Sequence, residues 1–205
     1  MVASCCPYVL HDTVKLTSPS GYSTFYLGKG LHGLYSHPSL DWALGLVMES
    51  LTEDSRGLYP HLVITGNQLV DGKEDCILLG ELSLLLSAMR NRANQVQAPD
   101  DEEIVNSLSD QNPEELSSSY NLSFPNENFP VLLLSFVGPH HGRLFQAYMD
   151  NGTLHIFQSK LYSFRDEETS PLDFFSRYLL SRPILMSEKE KPYGRYATRN
   201  AVKGT

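Results

Sequence analysis

Cysteine is scarce in this chain: Cys5, Cys6 and Cys76 are all there is. Two of them are adjacent, neighbouring cysteines rarely bridge each other, and an odd count leaves one thiol over. A disulfide framework is excluded as the source of stability, and no C-x-x-C suggests a zinc or redox site. No apolar run approaches the roughly 20 residues that span a bilayer. The opening "MVASCCPYVLHDTV" lacks the basic and long apolar regions of a secretory signal. These absences point to a reducing, intracellular setting, cytoplasmic or nuclear, with no membrane span. G-x-S-x-G and H-E-x-x-H are also missing, as is any internal repeat.

What is present suits a folded domain. The chain has 205 residues, 41% of them hydrophobic, enough for a sizeable core. The net charge of −8 is unevenly placed. Seven acids, Asp100, Asp101, Glu102, Glu103, Asp110, Glu114 and Glu115, lie in one polar stretch. Without them 17 acids face 16 bases, so the acidity describes a solvated segment more than a partner. We read residues 1–187 as one α/β domain with a flexible acidic insertion at about 94–128. A basic tail follows at 188–205. Its Tyr193 and Tyr196 are interleaved with Lys191, Arg195 and Arg199, a pattern suited to a nucleic-acid backbone, an acidic protein partner or a neighbouring copy of the chain.

Along the chain, residues 8–27 suggest one or two short strands. Gly28, Gly30 and Gly33 match G-x-G-x-x-G. The next helix cannot start before Pro38, however, so its N-terminus does not meet the glycines as a phosphate site requires. We read them as a tight turn. Leu40, Leu44, Val47 and Leu51 recur at helical spacing and predict a helix over 38–53. A strand is expected near 61–65 and a well-buried helix over 74–93, with Cys76 a packed thiol at its head. "FPVLLLSFV" predicts a buried strand at 130–137. Strands on either side of Asn151-Gly152, a strong hairpin signal, complete an antiparallel three-strand meander at about 130–160. A helix over 171–181 ends the pattern, with Ser170 as its cap. The expected fold is thus mixed α/β, a central sheet flanked by helices.

The order helix, three meander strands, helix in 77–183 resembles the restriction-nuclease-like fold of the PD-(D/E)XK superfamily. "VLLLSFVGPHHGRLFQAYMDNGTLHIFQSKLYSF" with "LDFFSRYLL" is similar to the N-terminal region of fungal kinase-like proteins. That resemblance implies an acid on the second strand and an acid-x-Lys on the third, holding a divalent cation, usually Mg²⁺. Carried over, "QSK" places Gln158 where the family has its acid and Lys160 as the lysine that activates water. Asp150 would be the first acid, and Glu81 the helix carboxylate.

Hairpin geometry opposes this assignment. If Asn151-Gly152 is the turn, Asp150 pairs with Thr153, Tyr148 with His155, Phe145 with Gln158, and Arg143 stands level with Lys160. Asp150 and Lys160 then lie about 23 Å apart, seven residues at about 3.3 Å each, and on opposite faces. They cannot share one Mg²⁺. His140, His141, Arg143 and Lys160 are expected as a basic cluster without a carboxylate. Two further readings stay open at this point: an Mg²⁺-dependent nuclease or phosphodiesterase, and a small-molecule enzyme whose site assembles only in three dimensions. The leading expectation is a non-catalytic interaction or regulatory module needing no cofactor.

Overall fold

The computed structural model describes residues 14–17, 25, 36–37, 42–52, 58–97, 103, 107–108, 111–125 and 129–181. The glycine turn, Cys5, Cys6 and the basic tail lie outside these residues. Strands β1 (Val14–Thr17), β2 (Ser36–His37), β3 (Trp42–Leu51) and β4 (Leu58–Asp71) come first. Helices α1 (Leu79–Ala93) and α2 (Pro113–Ser119) follow. Strands β5 (Val131–Gly138), β6 (His141–Asp150), β7 (Thr153–Gln158) and β8 (Tyr162–Ser163) and helix α3 (Leu172–Leu179) complete the order. The sheet runs β1-β3-β4-β5-β6-β7, with β2 beside β3 and β8 beside β6. Every pairing is antiparallel except β4 with β5, which are joined through α1 and α2.

The sheet has two covered faces. On one, Leu84, Leu85 and Ala88 of α1 pack with Trp42, Leu44, Val47, Ile64, Leu133 and Phe145. On the other, Phe175 of α3 packs with Met48, Val63, Leu134 and Leu144. Strand β5 feeds both cores, so "VLLL" reads as an unbroken apolar run.

The segment read as a helix over 38–53 is a strand from Trp42 to Leu51. Its pairing with β4 shifts between Leu44 and Leu46, and again between Glu49 and Leu51. The first shift adds one residue to β3 and the second adds two to β4, as bulges do. The inward positions therefore step from Leu44 to Val47 rather than to Leu46, and a three-residue step imitates helical spacing. Gly45 is the extra residue at the first shift; a Cβ there would lie 2.7 Å from Thr65 Oγ1.

Helix α1 begins at Leu79, later than expected. Asp75 adopts φ 57°, a left-handed conformation that no helix continues through. Cys76 consequently sits ahead of the helix as an exposed free thiol rather than a packed one. Strand β4 runs on past Gly66-Asn67 to Asp71, because β3 and β5 flank it as far as Gln68. The acidic segment carries α2, whose Leu116 packs with Val96 and Leu108 against Tyr120 and Leu122. Its apolar residues are too widely spaced to show a period in the sequence. Helix α3 begins at Leu172 with Pro171, rather than Ser170, at its cap position.

The meander follows the expected register. Asp150 pairs with Thr153, Tyr148 with His155 and Phe145 with Gln158. Asn151 and Gly152 both have positive φ, 47° and 77°, the signature of a type I′ turn.

Candidate functional site

Glu81 stands in the first turn of α1 and reaches toward the sheet, where it meets Arg143 of β6 and Ser135 of β5. Both glutamate and arginine are inaccessible to solvent. Arg143 Nε donates to Glu81 Oε1 at 2.9 Å and Nη2 to Oε2 at 2.6 Å, the paired fork that suits a carboxylate. Ser135 Oγ donates to Oε1 at 2.8 Å, and the Leu78 backbone N–H to Oε2 at 2.7 Å. A carboxylate offers about four lone-pair positions, and these four donors take them. Arg143 Nη1 donates to the Lys73 carbonyl at 2.8 Å, and its guanidinium carbon lies 5.0 Å from the Phe145 ring centroid. The pair thereby ties the 72–78 loop, α1, β5 and β6 together.

This arrangement corrects the expected basic cluster. Arg143 does carry a carboxylate partner, delivered from α1, and it lies inside the core. His140 is exposed in the turn before β6, where its carbonyl accepts from Phe164 N–H at 2.8 Å. His141 is half-buried and pairs with Val137 and Ser163. Lys160 is exposed, its Nζ 5.1 Å from the Tyr162 ring. It has left the ladder: β7 ends at Gln158, and the β6–β8 pairing is shifted by one residue, with Gly142 opposite Tyr162. Gln158 is half-buried opposite Phe145. Asp150 is exposed at the far end of the hairpin. The structure thus joins Glu81 to Arg143 and leaves Asp150 and Lys160 at opposite ends of the meander.

The Mg²⁺ implied by the nuclease resemblance does not fit these residues. Glu81 has no lone pair to spare, and Asp150 is a hairpin's length from Lys160. Among the described residues, no three His, Cys, Asp or Glu side chains gather into a metal-holding group.

A second buried pair was not foreseen. Arg92, near the end of α1, reaches Glu49 of β3 at 2.6 Å. It also donates to Gln95 Oε1 and to the carbonyls of Tyr59, Pro60 and His61. The Phe124 ring covers it at 4.7 Å. Burial lowers the Arg92 pKa below its ordinary value, while the charge and hydrogen bond of Glu49 oppose that shift. His61 lies nearby with both ring nitrogens buried and without a hydrogen-bond partner among the described residues. Burial first, and the Arg92 charge second, lower its pKa to about 4. Arg92 and Glu49 are 43 positions apart, and the sequence signal nearest to this pair is a charge on each of two apolar segments.

An open depression of about 590 Å³ lies at the end of β4 and the β5–β6 turn, between Leu69, Phe136, His140 and Phe164. Its walls are mostly apolar. Leu69 at its rim is 78% exposed. No known protein family, curated protein or solved structure matches the chain. No helix among the described residues is long and apolar enough to cross a membrane.

Proposed function

We propose that the chain is a non-catalytic intracellular protein-interaction or regulatory module built on a degenerate nuclease-like core. The saturation of Glu81 carries this reading: Arg143, Ser135 and the Leu78 N–H take every lone pair a cation would need. Gln158 brings no charge, and Lys160 stands in solvent beside Tyr162 with no acid paired to it among the described residues. Exposed Leu69 and Val70 on the extension of β4 offer apolar area to a partner. The exposed free Cys76 agrees with a reducing compartment.

The test has two arms. Purified protein is incubated with supercoiled plasmid and with single-stranded DNA and RNA, with Mg²⁺ or Mn²⁺. No cleavage above buffer is expected; metal-dependent cleavage that disappears in Lys160→Ala overturns the proposal and favours the nuclease. In the second arm, binding partners are captured with the wild type, with Leu69→Glu, and with deletions of 98–128 or 188–205. A partner lost in one of these variants is expected, and it names the contact surface.

A further inference from the structure

Strand β7 ends the sheet, and no strand among the described residues pairs with its outer edge. Its phase is set by the Ser159 N–H, which donates to the Leu144 carbonyl at 2.9 Å. Counting back along the ladder, the N–H and C=O groups of Thr153, His155 and Phe157 turn inward to β6. Those of Leu154, Ile156 and Gln158 turn outward, and they meet no partner among the described residues.

Sheets in monomers protect such edges with lysine, proline, bulges or a covering loop. The sequence of β7, TLHIFQ, has no charge and no proline, and its pairing with β6 has no bulge. The side chains alternate cleanly. Leu154 and Ile156 pack at the margin of the α1-side core. His155 and Phe157 stand on the other face, stacked on Tyr148 at 5.1 and 6.1 Å. Phe157 is 52% exposed.

We infer that β7 pairs with β7 of a second copy, antiparallel, about a two-fold axis at Ile156. In that register Ile156 faces its own counterpart, and Leu154 faces Gln158 on both sides of the axis. The outward groups then form about six inter-chain hydrogen bonds, the most that this edge allows. His155 lies opposite Phe157 of the second copy, so the aromatic row continues across the join and Phe157 is covered. Leu154 and Ile156 extend the apolar layer of one sheet into the next. Charge selects the direction. Exposed Asp150 closes β6 beside Thr153, the first residue of β7, and exposed Lys160 lies just beyond the end of β7. Antiparallel pairing brings the lysine of each copy to the aspartate end of the other, whereas parallel pairing sets like charges together. The inference goes beyond the reading of the previous subsection and does not rest on it: a self-associating edge is compatible with either function.

The test needs no ligand: the mass of the full chain in solution is followed by light scattering and analytical ultracentrifugation from low to high micromolar concentration. The wild type is expected to dimerise. Phe157→Lys and Asp150→Lys each weaken dimerisation, the latter about tenfold at most by reversing two exposed charge attractions across the join. Asp150→Lys combined with Lys160→Asp restores it, because the swapped charges remain complementary. Ile156→Pro removes an outward N–H that β6 does not use and should yield a monomer. Thermal melts identify any variant that fails to fold, and the charge swap, confined to exposed side chains, decides the matter if another variant does. A wild type that stays monomeric at every concentration overturns the inference, including one whose β7 variants lose a different protein partner. A dimer indifferent to Phe157→Lys and to the charge swap overturns it equally.

Discussion

Removing one member of the Glu81–Arg143 pair should cost at least as much as removing both. Both side chains are sealed from water, and the arginine depends on Glu81 for two of its three side-chain hydrogen bonds. Glu81→Leu leaves a guanidinium buried without its counter-charge, and Arg143→Met leaves a carboxylate in the same position. Breaking a buried pair in this way costs about 3–5 kcal/mol. At about 2–4 °C per kcal/mol for a domain of this size, the melting temperature should fall by about 6–20 °C. The double substitution removes both charges together. It still strips Ser135 Oγ and the Leu78 N–H of an acceptor, each worth about 1–3 kcal/mol when buried, so the double variant should be no less stable than either single one. The coupling energy from the four-member cycle should reach about 2–5 kcal/mol. Urea unfolding followed by tryptophan fluorescence can read this directly. Trp42 is the single tryptophan, it is buried, and it lies against the start of α1 at Gly80. Single substitutions that cost less than about 1 kcal/mol, or that add without coupling, would refute the reasoning. Glu81 would then be free in solution to serve a cation, and the case against a metal site would lose its main support.

Two further outcomes follow from the same packing. The folded pKa of His61 lies at about 4, below the ordinary value of 6.5, so between those values the unfolded chain binds a proton that the native state refuses. Stability from this group is whole above about pH 6.5 and is lost as pH falls toward 4, at no more than about 1.4 kcal/mol per pH unit. The difference in unfolding free energy between wild type and His61→Phe, measured by urea titration across that window, should change with this sign; a difference independent of pH contradicts the burial of the imidazole. Gly80→Ala would ordinarily stabilise a helix by about 1 kcal/mol. Here a Cβ would press on Gln68 Oε1 and lie 2.7 Å from Trp42 Cγ, so we expect destabilisation of about 1–3 kcal/mol, and a raised melting temperature would show that α1 sits farther from β3.

The meander was legible because its signals are local. Asn151-Gly152 sets the turn, the turn sets the register, and the register places Phe145 opposite Gln158 without knowledge of any other element. Strand β3 was not legible, for a reason equally physical. Periodicity reports the spacing of inward residues, and a bulge at Gly45 converts a spacing of two into three, so Leu44 and Val47 imitate successive turns of a helix. The charged residues show a third case. Glu81 and Arg143 both stand out in the sequence, one as a helix carboxylate and one as part of a basic cluster, yet 62 positions separate them and no period links them. Only the parallel pairing of β4 with β5, which lays α1 across the sheet, brings the acid onto β5 and β6. Arg92 and Glu49 repeat the arrangement at the other end of the same helix. Helix α1 is thus fastened to the sheet by an ion pair near each end, with Leu84, Leu85 and Ala88 between them. A helix held in this way has its acids committed to architecture, and the groups left to meet other molecules are those at the margins: the β7 edge, Leu69 and Val70, and the turn at His140.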